Sequence, residues 1–373
     1  MTDSEVLFLC VAAVYLLQCA VYAHSGALVL CARRRGWSES EGTFTLGALH
    51  LNMSFASPLP PLRTAVVCDT PLRLSDRAVC LPSADEAVVV EYDSISSVTA
   101  SGRTLRVNGN ACKFSSATQA AAIADLLRRL KSAPQSEHAA IARAHIARSL
   151  DLAAAQSRMA SVRSASRAVT VTANVLFFAL FVAVPIVVAL YGLLPTWPLL
   201  VGLLVSATLV TAVLFRRAHK KLYPSDSDSR WTHTLTIALS PLAAIRAADV
   251  LWRDAFAGFH HVTVARALCR PPVAARVLAT FVRQLSFPTD TELGSAPSAR
   301  ALHDFYRTEL LSHLKRRQSD EVAAALAQPS REPAALMYCP RCHAQYTVSA
   351  SECSDCAGVQ LVSFQDAPTA QRK

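Results

Sequence analysis

Charged side chains are scarce in this chain of 373 residues. Asp, Glu, Lys and Arg together make up 17% of the sequence and hydrophobic residues make up 52%, whereas about a quarter of a typical soluble domain is charged. The mean hydropathy is correspondingly positive, at +0.29. This deficit excludes a disordered, fibrous or ordinary cytosolic protein, and it indicates a membrane protein.

Glycine is also scarce, with 11 residues in the whole chain. Loops that cradle phosphate groups need glycine, because their backbone must approach the ligand closely. The sequence also lacks the Walker A, dinucleotide-binding, Gly-x-Ser-x-Gly and His-Glu-x-x-His patterns. We therefore find no catalytic constellation, and we expect a protein that is not an enzyme.

The missing charges leave two long apolar runs. Segments 6–32 and 168–215 contain no Asp, Glu, Lys or Arg. About 20 helical residues cross a bilayer once, so the first run predicts one transmembrane helix over 6–32 and the second predicts two, over 168–190 and 195–215. The turn between the last two, 191–198, contains Gly and Pro, which end helices, and Tyr and Trp, which suit the membrane interface.

Basic residues flank these runs on one side. They occur at 33–35, 158–167 and 216–221, whereas the turn 191–198 has none. Because Lys and Arg are retained on the cytoplasmic side, the pattern places the N-terminus outside and the rest of the soluble chain inside. The sequence therefore predicts a protein integral to the cytoplasmic (inner) membrane, with a cytoplasmic C-terminus.

Short apolar runs between 42 and 131 predict a small β-rich α+β domain. Hairpins are predicted over 72–81 and 96–107, and apolar residues follow at helical spacing from Ala120 to Leu130. This succession of strands and one helix, with the segment 91–98, resembles a pleckstrin-homology-like module of bacterial membrane-attached proteins. The resemblance implies binding of lipid headgroups or peptides. Another small α+β domain fits the same pattern, and no cluster of Lys and Arg marks a phosphoinositide site.

Two helical stretches complete the predicted organisation. An alanine-rich segment, 139–167, predicts one connector helix that leads into the second span. Apolar residues recur every three or four positions over 231–328, which predicts a cytoplasmic helical region. Its first part, 231–245, carries no Asp, Glu, Lys or Arg but is short for a span. That part could re-enter the membrane, lie on it or pack in the helical domain, and we favour the helical domain.

Two other functions remain as alternatives. A membrane-embedded hydrolase or lipid-modifying enzyme would use the 231–315 region, with His260, His261 or Asp254 as candidate groups. Adjacent helical histidines point in different directions, and metal ligands on a helix need i, i+4 spacing, so we interpret the pair as surface or core residues. A transporter accessory subunit is the other alternative, although 168–215 contains no ionisable group that would mark a transport path.

Four cysteines near the C-terminus form the most specific pattern in the chain. They are Cys339, Cys342, Cys353 and Cys356, arranged as two Cys-x-x-Cys pairs within 338–364. Each pair turns two thiolates towards one point on a tight knuckle, and two knuckles complete a tetrahedron around zinc at a Zn–S distance of about 2.3 Å. A module this short buries too little apolar surface to fold alone. The pattern therefore predicts one structural zinc ion.

The opening Tyr-Cys-Pro-Arg-Cys and the closing Cys-Ser-Asp-Cys resemble the knuckles of bacterial rubredoxin-type zinc ribbons. That family usually has Gly directly after each second cysteine, where this chain has His343 and Ala357. The position favours positive φ, which Ala tolerates poorly. We therefore expect Gly358 to take over this role one residue later in the second knuckle.

Several alternatives concern the cysteines and their ion. The spacing is also compatible with iron, but zinc is favoured because a ribbon with four thiolates leaves no open position for catalysis. A disulfide is disfavoured in a reducing cytoplasm. Nucleic acid is disfavoured as a partner, because Arg341 is outnumbered by the acids of the ribbon. The remaining cysteines are interpreted as small core or membrane residues: Cys10, Cys19, Cys31, Cys68, Cys80, Cys112 and Cys269.

Together these patterns predict a membrane α-helical protein with three spans, a small β-rich α+β cytoplasmic domain, a helical segment and a C-terminal zinc ribbon. The predicted function is that of a membrane-anchored scaffold or regulatory protein. Its partners would be the lipid bilayer and a cytoplasmic protein docked by the soluble modules and the ribbon. The oligomeric state and the identity of the protein partner stay open.

Overall fold

A computed structural model describes residues 5–6, short strands between 23 and 68, and then 72–81, 88–114, 117–224, 226–253, 255–293 and 297–364. In these residues the chain is mostly helical, with small antiparallel sheets.

The described strands form five antiparallel sheets of three strands each, with the orders β1-β5-β4, β3-β2-β6, β7-β8-β9, β10-β11-β12 and β14-β13-β15. Their bounds are β1 Ala23–His24, β2 Leu28–Arg33, β3 Gly36–Glu39, β4 Thr43–Leu46, β5 Leu49–Asn52, β6 Ala65–Cys68, β7 Arg73–Leu74, β8 Ala78–Leu81, β9 Val88–Glu91, β10 Val98–Ser101, β11 Thr104–Val107, β12 Asn110–Lys113, β13 Met337–Tyr338, β14 Gln345–Tyr346 and β15 Val362–Ser363.

The described helices occupy most of the remaining chain. Their bounds are α1 Ala117–Ser132, α2 Gln135–Ser149, α3 Leu152–Tyr191, α4 Leu193–Leu222, α5 Ser227–Leu239, α6 Pro241–Ile245, α7 Ala247–Arg253, α8 His261–Leu268, α9 Pro271–Ser286, α10 Asp290–Leu293 and α11 Pro297–Leu326. The predicted helical region 231–328 thus contains most of α5 and all of α6 to α11.

The predicted first span, 6–32, is not among the candidate membrane helices of the described residues. Its residues 7–22 lie outside the described part of the chain, and its C-terminal end is extended, because Leu28–Arg33 forms β2 between β3 and β6. A short apolar run fits a strand with neighbours on both sides as well as it fits a helix. Hydropathy alone does not distinguish the two, so the predicted span included the residues of this strand up to Ala32. The predicted three spans are therefore corrected to two candidate spans.

Two helices, α3 and α4, are long and apolar enough to cross a bilayer. They lie side by side and contain the predicted segments 168–190 and 195–215. In the most apolar stretch of 18 residues, only 33% of α3 and 28% of α4 is buried within the structure. Large apolar side chains therefore point outward along both helices, as Val175, Leu190 and Leu203 do.

Proline and glycine shape this helical pair. Pro185 has no N–H for the carbonyl four residues before it, and α3 widens into a π turn over Ala179–Ala183 just ahead of it. Gly192 ends the helix with a φ of 79°, and its N–H donates to the carbonyl of Val188 at 2.9 Å. Because α4 begins at the next residue, the reversal needs this single glycine in a backbone conformation that other residues avoid.

The structure divides the predicted connector helix, 139–167, into two helices. Helix α2 ends at Ser149, and α3 begins at Leu152 with Asp151 as its N-cap. The Asp151 carboxylate accepts a hydrogen bond from the N–H of Ala154 at 3.0 Å, which satisfies a donor that a helix start otherwise leaves unpaired. This local cap interrupts a stretch whose alanine content alone favours one continuous helix.

Strands β7 to β12 and helix α1 form one module with its own apolar core. The hairpins β7–β8 and β10–β11 pair as the sequence predicts, whereas β12 was not predicted. Helix α1 lies against β10 and β11, and Leu105, Leu127 and Phe114 are fully buried between them.

This module contacts the helices that follow the α3–α4 pair. Leu302 on α11 packs against Cys80 on β8, and Arg143 on the next helix, α2, donates a hydrogen bond to the carboxylate of Glu309 on α11 at 2.8 Å. Residues that precede α3 and residues that follow α4 therefore meet at the same end of the helical pair.

Arg158 ties the two helices together at that end. Its guanidinium donates to the carbonyl of Leu222 at 3.3 Å and to the carbonyl of Ala255 at 3.0 Å, and it lies 5.0 Å from the centre of the Tyr223 ring. The last carbonyls of a helix have no partner within the helix. Arg158 thus caps α4 and joins the start of α3 to the end of α4 and to Ala255.

Candidate metal centre

The four predicted cysteine ligands lie together beside the small sheet β14-β13-β15. All four sulfurs are within 4.8 Å of one another, and those of Cys342 and Cys353 are 3.7 Å apart. A tetrahedral zinc ion with bonds of about 2.3 Å holds its sulfurs about 3.8 Å apart. The spacing therefore fits one tetrahedral ion, and no other cluster of three or more possible ligands occurs in the described part of the chain.

The first knuckle carries Cys339 and Cys342. The N–H of His343 donates to the carbonyl of Cys339 at 2.9 Å, and the N–H of Cys339 donates to the carbonyl of Ala344 at 2.9 Å. His343 has a φ of 64°, so this side chain occupies the backbone conformation that glycine fills in the family the sequence resembles. These bonds fold the chain tightly enough to bring both sulfurs to one side.

The second knuckle carries Cys353 and Cys356. The N–H of Val359 donates to the carbonyl of Cys356 at 3.1 Å, and the N–H of Cys353 donates to the carbonyl of Val359 at 3.0 Å. Gly358 has the positive φ, 76°, and Ala357 does not. The expectation that Gly358 takes over this role is confirmed.

The four thiols lie in unequal surroundings. Burial raises the pKa of Cys339 to about 11 and also raises the pKa of Cys356, whereas Cys342 is exposed. Burial also acts upward on Cys353, but hydrogen bonds from Tyr346, from the backbone at Asp355 and from other thiols outweigh it and lower the pKa of Cys353 to about 7. A bound cation would supply the positive charge that keeps all four groups as thiolates.

Tyr346 is a site residue that the sequence did not single out. Its hydroxyl donates a hydrogen bond to the sulfur of Cys353 at 3.2 Å and accepts one from the N–H of Ser354 at 3.2 Å. A hydroxyl aimed at a ligand sulfur holds its orientation and tunes its charge. The aromatic residue in the strand between the two knuckles was the available signal, but its spacing alone does not show which way it faces.

Arg341 stands inside the first knuckle but binds outside the ribbon. Its guanidinium makes two parallel hydrogen bonds to the carboxylate of Glu292, at 2.7 and 2.8 Å, and donates to the carbonyl of Phe287 at 2.7 Å. Burial acts to raise the pKa of Glu292, but the bonds from Arg341 outweigh it and lower the pKa overall. We call the pair Arg341–Glu292 the ribbon clamp.

Two further contacts join the ribbon to the helices beside the clamp. Arg283 on α9 donates to the carbonyl of Arg341 at 3.1 Å. The carboxylate of Asp290 approaches Gly358 so closely that a Cβ at residue 358 would force it to shift, and the N–H of Asp290 donates to the carbonyl of Ala357 at 3.4 Å. Residues 338–364 are therefore held against α9 and α10 at both knuckles.

A shallow groove of about 470 Å³ lies on the ribbon beside the sheet. Its walls include Arg331, Leu336, Met337 and the segment 349–351. Leu336 is 43% exposed, and nearby in sequence Val348 is 65% exposed. Apolar side chains that remain open on an otherwise fixed module are suited to contact another surface.

The histidine pair lies elsewhere, in the core between α8 and α9. His260 is the N-cap of α8, with an extended backbone, so its ring stacks on that of His261 at 4.4 Å instead of pointing away as adjacent helical residues do. Phe281 contacts both rings edge-on. Burial lowers the pKa of both, to about 4 for His261. Asp254, the third residue of the enzymatic alternative, lies outside the described residues.

Comparison of the chain with protein families, with curated proteins and with solved structures gives no match.

Proposed function

We propose that the protein is integral to a bacterial cytoplasmic membrane and that α3 and α4 cross the bilayer as a hairpin. The outward apolar side chains of both helices and the uncharged run 168–215 support this placement. Basic residues stand at the base of the pair, at 158–167 and 216–221, and none stand at the turn. Leu302 on α11 packs against Cys80 of the module, and Arg143 on α2 binds Glu309 on α11. The module and the later helices therefore share one side, which the positive-inside rule makes cytoplasmic.

In this proposal the four cysteines hold one zinc ion in a rubredoxin-type ribbon. Four sulfurs at tetrahedral spacing leave no position for substrate, which fits a structural ion. Iron would be held by the same set, so the metal content of the purified protein decides between them. We expect about one zinc per chain and little iron by elemental analysis.

Within this frame the protein acts as a non-enzymatic scaffold or regulator that docks a cytoplasmic protein. One observation carries this conclusion. The ribbon clamp fixes the ribbon to α10, beside the base of α3 and α4, while the side chains of Leu336 and Val348 remain exposed. The β-rich module, with two sheets and a closing helix, supports the pleckstrin-homology-like interpretation and offers a second docking element.

The test compares partners captured in mild detergent by the full-length chain and three variants. Cys339→Ser removes a ligand, Val348→Asp adds charge beside the groove, and Cys269→Ser changes a cysteine outside the cluster. We expect a specific protein to be lost with the first two variants and retained with the third. An identical set of partners in all four samples would reduce the ribbon to a structural element and overturn the docking proposal.

The enzymatic alternative receives no comparable support. His260 is 4% exposed and His261 is 9% exposed, and Phe281 closes over both rings. A substrate would have to displace this core before it could meet either imidazole.

A further inference from the structure

Helices α5, α6 and α7 form a short helical hairpin that runs back along the membrane pair. The chain leaves α4 at Leu222, turns within a few residues and continues as α5. Arg216 on α4 lies 4.3 Å from the ring of Trp231 on α5, and the ring of Phe215 lies 6.3 Å from that of His233. Moving back by one residue along α4 thus corresponds to moving forward by two residues along α5. Helix α5 is therefore antiparallel to α4 and heads towards the bilayer.

The far end of α5 reaches the level of the apolar run. Leu239 follows His233 by six residues, which at 1.5 Å per residue carries it about 9 Å beyond the level of Phe215. Phe215 is the last residue of the uncharged run 168–215. The chain then reverses at Ser240 and Pro241.

The returning arm comes back to the base of the pair. Trp252 on α7 donates its indole N–H to Ser166 of α3 at 3.1 Å, and the hydroxyl of Tyr223 donates to the carbonyl of Leu251 at 2.8 Å. Both ends of the hairpin thus lie beside the basic residues, and its tip lies deeper along α3 and α4.

The outward face of α5 carries an apolar stripe beside the exposed threonines Thr232 and Thr236. Trp231 is 51% exposed, Leu235 is 53% exposed and Leu239 is 83% exposed, and a spacing of four residues puts them on one stripe. The opposite face, with Thr234 and Ile237, is buried. An uncovered stripe that grows more exposed with depth is unfavourable in water.

Two threonine hydroxyls on the exposed side of α5 are satisfied within the helix, as a lipid environment demands. The hydroxyl of Thr232 donates to the carbonyl of Asp228 at 3.0 Å, and that of Thr236 donates to the carbonyl of Thr232 at 2.9 Å. No Asp, Glu, Lys or Arg occurs from Trp231 to Ile245. The first charge on the returning arm, Arg246, is buried and lies 3.6 Å from Asp249, as charges at membrane depth do.

We infer that residues 227–253 form a re-entrant hairpin, and that the stripe Trp231, Leu235 and Leu239 contacts the acyl chains of the lipid. The inference rests on the proposed membrane placement of α3 and α4, because the stripe continues their outward apolar surface. Arg216, stacked on Trp231, marks the level of the headgroups, where tryptophan and basic residues gather. The hairpin thus adds a third lipid-contacting element beside α3 and α4 without crossing the bilayer.

Site-specific photocrosslinking tests the inference on the full-length chain. A diazirine amino acid replaces Leu239, and in separate samples Leu203 on α4, Thr234 on the buried face of α5, or Leu326 on α11. Each protein is reconstituted into vesicles of phosphatidylethanolamine and phosphatidylglycerol and illuminated, and lipid adducts are measured by mass spectrometry. Zinc content and gel filtration show that each variant is folded.

We expect lipid adducts at residue 239 in a yield similar to that at 203 and several-fold above that at 326, with residue 234 crosslinking to α4 instead. Adducts at 203 but not at 239 would overturn the re-entrant hairpin and leave the membrane placement intact. A crosslink from 239 to a second copy, or to another segment of the chain, would overturn it as well. Failure at both 203 and 239 would reject the proposed placement together with this inference.

Discussion

Arg341 shows how a residue between two metal ligands serves a different surface. The ribbon clamp is bidentate and charge-assisted, and the side chain of Arg341 is 11% exposed while that of Glu292 is 39% exposed. Hydrogen bonds to charged groups contribute about 1.5–3 kcal/mol each when they are shielded from water. The knuckle that carries Cys339 and Cys342, two of the candidate metal ligands, is therefore also the point at which the ribbon is anchored.

Arg341→Ala is expected to free the ribbon from α9 and α10 without removing the metal. Zinc content should stay at the wild-type level, because Arg341 is not a ligand, while hydrogen exchange of the backbone around Glu292 should accelerate. The matched control is Arg317→Ala on the exposed face of α11. Unchanged exchange in Arg341→Ala would show that the remaining contacts hold the ribbon by themselves.

Tyr346→Phe removes the hydroxyl that lies 3.2 Å from the sulfur of Cys353. Loss of such a supporting hydrogen bond weakens metal affinity by about tenfold or more. Competition with a chromophoric chelator measures this change, and Tyr338→Phe in the same ribbon serves as the control. Equal affinity in all three proteins would mean that the hydroxyl does not support the ligand.

The buried histidines make stability depend on pH. Burial, and for His260 also the neighbouring His261, lowers the pKa of both groups in the folded protein, while an unfolded histidine titrates at about 6.5. The unfolded state therefore binds more protons once pH falls below about 6.5, and stability that is fully present above that value is lost towards about pH 4, by up to about 1.4 kcal/mol per pH unit for each group.

The double variant His260→Asn/His261→Asn should be less stable than the wild type at neutral pH but should lose less stability between about pH 7 and about pH 5. Denaturant unfolding at several pH values gives both slopes. Acid loss of the metal affects both proteins equally, so the difference between the slopes isolates the histidines. Parallel slopes would contradict the lowered pKa values.

At the scale of elements, the reversal between α3 and α4 depends on Gly192. Its φ of 79° is costly for residues with a Cβ, whereas Gly202 lies within α4 with open space where its Cβ would be. Gly192→Ala is expected to destabilise the helical pair by about 1 kcal/mol. Gly202→Ala should be neutral or stabilising by up to about 1 kcal/mol.

Thermal unfolding in detergent compares these two glycine variants directly. A lower midpoint for Gly192→Ala alone supports the strained turn. Equal midpoints would mean that α4 can begin elsewhere, with the turn rebuilt around Pro195.

The elements that the sequence predicts correctly are those set by local signals. The hairpins β7–β8 and β10–β11 follow from apolar runs on either side of short polar turns, and the role of Gly358 follows from the single residue that tolerates positive φ. The grouping of the four cysteines follows from their spacing.

The elements that it misses are set by partners distant in sequence. The apolar segment Leu28–Arg33 is a strand because β3 and β6 flank it, and hydropathy does not include those neighbours. The pairing of Arg341 with Glu292 spans 49 positions and has no periodic signature. The direction of α5 likewise depends on its packing against α4, which the composition of 231–245 does not encode. The function and the identity of the partner have no counterpart in any local pattern.

At the scale of the whole molecule, the other proposals depend on which side of the membrane each part of the chain occupies. The β-rich module and the helices that carry the cysteine cluster meet at the base of α3 and α4, so we expect both to lie on one side of the membrane and the Gly192 turn on the other. The predicted outside location of the N-terminus depended on a span over 6–32, and it falls with that span, which is not among the candidate membrane helices of the described residues.

The most direct test labels new cysteines in intact cells with a membrane-impermeant thiol reagent, counting only the label added over that of the wild type. Leu194 at the turn is 84% exposed, and Ser319 on α11 is exposed at the other end. We predict that Leu194→Cys is labelled from outside and that Ser319→Cys is labelled only after the membrane is opened. The reverse pattern, or equal labelling of both before the membrane is opened, would contradict this prediction.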